Sequence, residues 1–426
     1  MQRAGSIDPS DTHRAVKVVW QIESAKLIAA LARIVRDVGL AEDLAQEALV
    51  AALEQWPSSG VPDNPGAWLM AVAKRRAVDL LRRKVRGERK YEELGRTLEM
   101  QQAAVQGSGP DDEIGDDLLR LIFICCHPVL STDARVALTL RLLGGLTTGE
   151  IARAFLVPEP TVAQRIGRAK RTLTEARVPF EVPAGEELAA RLSSVLEVVY
   201  LIFNEGYTAT MGEEWVRPAL CEEALRLGRI LAELMPRESE VHGLVALMEL
   251  QASRLRARVG PAGEPVLLLD QDRGRWDHIL VTRGLAVLDR AEALGGALGP
   301  YGLQAAIAAC HARARIPAET DWMRIVALYD AFAEIMPSAV VELNRAVAVA
   351  MAFGPAAGLE LVDALAADRT LKTYHLLPSV QGDLLVRLGR FDEARAAFER
   401  AAALTKNARE RKLLLDRAAR ARLSTH

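Results

Sequence analysis

LTTGEIARAFLVPEPTVAQRIGRAKRTL, residues 146–173, decides how this chain is read. It divides into a short helix, a turn at Val157-Pro158-Glu159-Pro160, and a longer helix that begins near Thr161. Ile151, Ala152, Val162, Ile166 and Leu173 recur at the spacing that gives two helices a shared apolar core. Gln164, Arg165, Arg168, Lys170 and Arg171 fall on the other side. A second helix with Gln and Arg near its start suits the major groove of DNA, where these side chains pair with base edges. The same pattern also suits a plain helix pair with a charged surface.

Upstream lies a second basic element, AWLMAVAKRRAVDLLRRKVR (67–86). Residues 66–90 hold Lys74, Arg75, Arg76, Arg82, Arg83, Lys84, Arg86, Arg89 and Lys90 against Asp79 and Glu88 alone. Trp68, Leu69, Val72 and Leu80 supply an apolar side, so the helix can grip phosphates and offer polar tips to bases. A solvated helix whose arginine stems lie along apolar surface is the alternative. Helical spacing also runs through 14–56, broken at Gly39, and the stretch AEDLAQEALVAALEQW (41–56) is amphipathic. PSSGVPDNPG (57–66) reads as a loop.

The polar residues 87–115, with GSGPDD at 107–112, read as a flexible linker. Helices resume at Asp116. LLRLIFICC ends at His127-Pro128, and a helix N-cap is expected at Ser131 or Thr132. VPFEVPAG (178–185) reads as a second linker. Beyond it, residues 186–426 are helical with an internal echo. LAELMP (231–236) returns as FAEIMP (332–337), and AFAEIMP (331–337) more weakly as AFERAAA (397–403). Both offsets lie near multiples of ~34 residues, the tetratricopeptide period. Two polar-aromatic clusters interrupt this apolar region, FNEGY (203–207) and DQDRGRWD (270–277). Asn204, Glu205, Tyr207, Asp270, Asp272, Arg273, Arg275, Trp276 and Asp277 are regulatory candidates that could line a cleft or dock another domain. Caps and salt bridges are the structural alternative.

Composition agrees with an all-α chain. Of 426 residues 50% are hydrophobic and 5% aromatic, which leaves ample material for several cores but little that favours sheet. The net charge of −2 does not announce a nucleic-acid binder, so any such signal is local. Cys125, Cys126, Cys221 and Cys310 form no CxxC pair, as expected of a reducing cytoplasm. Consecutive residues on a helix point about 100° apart, so Cys125-Cys126-His127 cannot converge on one metal. Neither a signal-peptide pattern nor an apolar run of ~18 residues is present. No catalytic motif appears, and neither enzymatic activity nor a cofactor or metal is expected.

The two basic blocks, in this order and with this linker, resemble extracytoplasmic-function (ECF) sigma factors. GLAEDLAQEALVAALEQW is similar to that family's polymerase-clamp-binding segment, and AWLMAVAKRRAVDLLRR to its −10 helix. Residues 146–173 resemble its −35-reading helix-turn-helix. FICCHPVLSTDARVALTLRLLGGLTTGEIARAFLVPE, FNEGY and LLDQDRGRWD are similar to one ECF group with a tetratricopeptide-like extension.

The resemblance implies a region 2 domain at 12–86, a linker at 87–115, a region 4 domain at 116–178 and a regulatory extension at 186–426. It implies binding to RNA polymerase core, at the clamp of the largest subunit and the flap, and to the −10 and −35 elements of promoter DNA. Glu42, Asp43, Gln46 and Glu47 would meet the clamp. Lys74, Arg75, Arg76, Arg82, Arg83, Thr161, Gln164, Arg165, Arg168 and Arg171 would meet DNA. The loop 57–66 would sit where the family captures a flipped base. A cytoplasmic, nucleoid-associated protein follows, with no membrane contact and room for a protein partner of the extension. Many such factors carry Asn where Arg75 stands, so their −10 base preference does not carry over. A conventional helix-turn-helix repressor would leave the acidic 41–56 segment and the long linker unexplained. A tetratricopeptide scaffold without DNA binding would leave both basic helices unexplained.

Overall fold

The computed structural model describes residues 9–87, 110–209 and 212–423. They form two compact units, dividing at Val198/Val199. The described residues are helical throughout, apart from turns and two isolated bridges. None of their helices is long and apolar enough to cross a membrane.

The first unit opens with α1 (Pro9–Val35), α2 (Val38–Ser59) and α3 (Pro65–Gly87). Leu27, Ile28 and Leu31 of α1, Leu44, Ala48 and Trp56 of α2, and Leu69, Ala73 and Ala77 of α3 are buried. The chain reverses at Arg36, whose φ is 54°. Asp37 then caps α2, accepting from the Leu40 N–H at 2.8 Å. Helix α2 continues through Pro57 to Ser59, further than the loop expected from 57. The Gly60 N–H closes its last turn on the Trp56 carbonyl at 2.9 Å, so the proline costs one bond and no break. Asn64 starts α3 by accepting from the Ala67 N–H at 3.0 Å, and Trp56 meets Trp68 edge-on at 5.4 Å.

Helix α4 (Pro110–Cys125) begins before the expected Asp116. Proline in the first position followed by acidic residues is a helix start, and it outweighs the glycines that precede it. The expected linker is therefore helical from residue 110, and its remainder, 88–109, lies outside the described residues. Then come α5 (Thr132–Leu142), α6 (Thr148–Phe155) and α7 (Glu159–Glu175). Ser131 caps α5 by position, without a side-chain bond. Thr147 and Glu150 form a capping box at α6, which ends at Leu156 in the left-handed region at φ 51°. Such a conformation costs a non-glycine residue roughly 1–2 kcal/mol. The apolar contacts of Ile151, Val162, Ile166 and Leu173, all buried, hold it in place.

Helix α8 (Glu186–Tyr207) does not belong wholly to the extension. Its first half packs in the first unit, against the α4–α5 corner. There Arg191 donates to the Phe123 carbonyl at 3.1 Å, and Ser194 donates to the Cys126 carbonyl at 2.7 Å. Arg135 of α5 donates to Ser194 and pairs with Glu197 at 3.0 Å.

The second unit contains the rest of α8, then α9 (Pro218–Leu234), α10 (Ser239–Ala252), α11 (His278–Ala293) and α12 (Pro300–Arg313). It continues with α13 (Trp322–Ile335), α14 (Ala339–Phe353), α15 (Pro355–Leu365), α16 (Leu376–Arg387), α17 (Phe391–Leu404) and α18 (Ala408–Leu423). Consecutive helices from α12 onward pack on one another, and α10 packs on α9, α11 and α12. A Cβ on Gly243 would lie 2.7 Å from the Gly302 nitrogen, so α10 and α12 meet backbone to backbone. The two MP echoes occupy equivalent places. Met235 (φ −127°, ψ 63°) ends α9 and Met336 (φ −140°, ψ 74°) ends α13, each closing the last turn through its own N–H. The weaker third echo ends differently, at Thr405 in an extended conformation.

The last helix ties back to the start of this unit. The Asn407 side-chain amide donates to the carbonyls of Ala209 and Glu214, both at 2.9 Å. Arg409 reaches the Ala262 carbonyl at 3.0 Å.

Candidate polymerase and promoter interfaces

Of the four residues expected on the polymerase clamp, Asp43 and Glu47 are exposed, Gln46 is half-buried and Glu42 is 3% exposed. Glu42 thus departs from its expected place on a solvent face. Its Oε1 accepts from Arg141 Nε of α5 at 2.7 Å and from Gln46 at 2.6 Å. Its Oε2 faces Lys170 of α7. The cause is packing that helical periodicity does not carry, because α5 and α7 cover this part of α2. Asp37 joins the same junction, accepting from Thr174 Oγ1 at 2.9 Å. Nearby, Arg33 of α1 pairs with Asp117 of α4 at 2.8 Å. Burial holds the Asp117 carboxyl above its ordinary range, against the pull of Arg33 and Arg120. Glu47 pairs with Arg76 of α3 at 3.1 Å, and Asp43 has no ion pair among the described residues.

The basic helix is as one-sided as its sequence. Leu69, Ala73 and Ala77 face the core while Lys74, Arg75, Arg82 and Arg83 are exposed. Arg76 is half-buried in its pair with Glu47. The loop residues Asp63 and Asn64, ahead of α3, are exposed beside it.

On α7, Thr161, Gln164, Arg168 and Arg171 form one exposed face. Arg165 is half-buried and pairs with Asp133 at 3.0 Å, which holds it off that face. Lys170 and Thr174 lie on the flank that meets α2. Arg141 also donates to the Leu146 carbonyl at 3.1 Å, fixing the turn into α6. Cys125 and Cys126 are buried thiols, and burial pushes Cys126 up to about 11. No group of His, Cys, Asp and Glu among the described residues could hold a metal ion.

In the extension the two polar-aromatic clusters divide in role. Asp272 and Asp277 are caps, accepting from Gly274 N–H at 2.9 Å and from Ile279 N–H at 3.0 Å. Asp270 and Arg275 are exposed. Asn204 is half-buried one turn after Tyr200, whose hydroxyl donates to Gln304 at 3.0 Å. Glu205 pairs with buried Arg217. Tyr207, Arg273 and Trp276 are drawn together by a residue the sequence reading passed over. Arg254, in SRLRAR (253–258), lies 5.8 Å from the Tyr207 ring and 5.7 Å from Trp276. Arg258 sits 3.7 Å from the Tyr207 ring, and Arg273 sits 5.0 Å from Trp276. His311 completes the group. Burial and the charges of Arg254 and Arg273 depress its imidazole to about 4.

Comparison with known proteins follows these divisions. The Sigma-70 region 2 family matches residues 22–87, and the Sigma-70 region 4 family matches 120–173. A family of unknown function, DUF6596, matches 191–292. An uncharacterized protein of Rhizobium meliloti is 45% identical over 89% of this chain and 90% of its own length. The probable ECF RNA polymerase sigma factor SigI of Mycobacterium tuberculosis is 28% identical, over 42% of this chain and 61% of its own length. The ECF RNA polymerase sigma factor SigK of Mycobacterium ulcerans is 30% identical, over 34% of this chain and 75% of its own length. Two sigma regions in order, on helices that present a basic face and a helix-turn-helix, place the chain in the family of ECF RNA polymerase sigma factors, with a long helical extension.

Proposed function

We propose that this alternative sigma factor uses α2 to engage the polymerase clamp, α3 to hold −10 DNA, and the exposed face of α7 to read −35 DNA. Residues 12–86 and 116–178 are then the DNA-handling modules, and the helices from 186 onward regulate them. Asp43 and Glu47 are the acidic groups available to clamp arginines in this arrangement. Lys74, Arg75, Arg82 and Arg83 neutralise phosphates, while Gln164 and Arg168 reach base edges.

The observation that carries this reading is the burial of Glu42 between Arg141 and Lys170. The −10 and −35 elements are separated by about two helical turns of DNA, roughly 70 Å. A chain that holds both at once cannot keep α2 against α7. The free chain is thus closed, and promoter engagement breaks the junction. Core polymerase, by drawing away α2, turns a closed factor into an open one. The test is promoter-specific transcription with purified core polymerase and the full chain, with and without E42R. The wild type initiates at a defined promoter, and E42R binds core without the closed state. A chain that binds promoter DNA as a repressor and never supports initiation overturns the proposal.

A further inference from the structure

We propose that the extension contains a binding site for a small phosphate monoester, built on Arg254 and Arg258 with Arg273 at its edge. These arginines lack counter-charge. Elsewhere in the extension four arginines sit against acids, buried Arg217 on Glu205 and half-buried Arg229 on Glu249, Arg345 on Asp330 and Arg417 on Asp383, while Arg395 stands alone among the described residues with its Nε unpartnered. Arg254, Arg258 and Arg273 have no carboxylate at ion-pair distance among the described residues. Their hydrogen bonds go to neutral acceptors instead. Arg254 donates to the Tyr207 hydroxyl at 2.5 Å and to Gln251. Arg258 donates to the Tyr207 carbonyl at 3.0 Å and to Thr208 Oγ1 at 2.8 Å. Arg273 donates to the His311 and Ala314 carbonyls.

These bonds leave donors over. The Nε atoms of all three arginines are buried without a partner, and so are the indole N–H groups of Trp215 and Trp276. Arg254 is 8% exposed. Like charges buried this close disfavour one another, and Arg254 adds to the burial that lowers Arg258. A cluster rich in donors, poor in acid and walled by aromatic rings has the chemistry of an oxyanion site. Guanidinium forks pair bidentately with phosphate oxygens. With at least two arginines contributing, a dianion matches the charge better than a monocarboxylate. Five separate segments supply the groups: the end of α8, Trp215 ahead of α9, the turn after α10, the 273–276 turn and the end of α12. A ligand here would bridge elements that the chain otherwise joins by packing and by the arginine hydrogen bonds to neutral acceptors.

The experiment uses the full chain and inorganic phosphate. Thermal unfolding is followed from 0 to 50 mM phosphate at fixed ionic strength, set with KCl, with acetate as a parallel arm. Wild type is expected to gain stability saturably with phosphate and little with acetate. R254Q and R258Q are expected to lose that gain. R258K keeps the charge but not the fork, and should bind at least tenfold more weakly. Circular dichroism establishes that each variant is folded. A variant that fails to fold is replaced in the test by the salt-matched wild-type titration, which decides alone. No phosphate-specific gain in wild type overturns the proposal, and so does a gain that survives in both R254Q and R258Q. Arginines that serve only as pins would lower the melting temperature equally with and without phosphate.

Discussion

R141Q tests the closed junction most directly, because Arg141 is outside the proposed polymerase and DNA faces. Glu42 is almost fully buried, and its side chain is 4% exposed against 22% for Arg141. Breaking a fully buried pair costs about 3–5 kcal/mol, and an exposed pair is worth about 0–1. Lys170 and Gln46 remain on Glu42 after the change, so an intermediate loss of about 1.5–2.5 kcal/mol is expected. The loss falls on the closed state alone. At 1.4 kcal/mol per factor of ten, the open fraction rises about 10–60-fold. While the closed state dominates, the apparent affinity for core polymerase scales with that fraction. Titration of labelled core with wild type and R141Q should therefore show tighter binding by the R141Q chain, by about the same factor. High salt should narrow the difference, since the Arg141 side chain, 22% exposed, makes a partly screened contact. Unchanged or weaker core binding by a folded R141Q chain would refute the closed-state reasoning.

D43R should weaken core binding while leaving the melting temperature within about 1 °C, since Asp43 is exposed and unpaired among the described residues; an unchanged affinity for core removes α2 from the clamp. R168A should lose about 1–3 kcal/mol of −35 discrimination in competition binding, and R171A should weaken all sequences alike and flatten the salt slope. D133N frees Arg165 from its pair and is expected to raise −35 affinity by less than about 1 kcal/mol, measured by anisotropy. His311 supplies a pH dependence. Its folded value of about 4 lies below the ordinary 6.5, so the unfolded chain takes up the proton first as pH falls. Stability is full above 6.5 and declines between 6.5 and 4. Urea unfolding at pH 4.5 should therefore show a loss of roughly 2–3 kcal/mol relative to pH 7 that H311Q lacks; the same pH slope in H311Q would refute it.

The helix-turn-helix was legible because its signals are local. Thr147 and Glu150 make a capping box within four residues, and Val162, Ile166 and Leu173 keep helical spacing. The MP echo was legible for the same reason, as each copy ends a helix by the same backbone turn. Glu42 was misplaced because α2 has two neighbours. One comes from its own bundle and is written in its periodicity. The other comes from α5 and α7, some hundred residues away. Arg254 and Arg258 escaped notice because SRLRAR reads as a solvated charge run, and burial there depends on Tyr207 and Trp276 arriving from other segments. The proline-glycine break before 186 suggests a boundary there, whereas the first packing unit continues to 198 through Arg191 and Ser194. A truncation that spares the DNA-handling modules should therefore end after 198.

Asn407 binds backbone carbonyls at 209 and 214, nearly two hundred residues earlier in the chain. During synthesis this has a temporal meaning. At about 5–20 residues per second, the ribosome needs roughly 10–40 s to go from residue 209 to residue 407. The sigma modules leave the exit tunnel and can fold before then, while the extension still lacks the strap that joins its two ends. Each newly made molecule thus passes through a period with DNA-handling modules complete and the extension unclosed, and that period lengthens when translation slows.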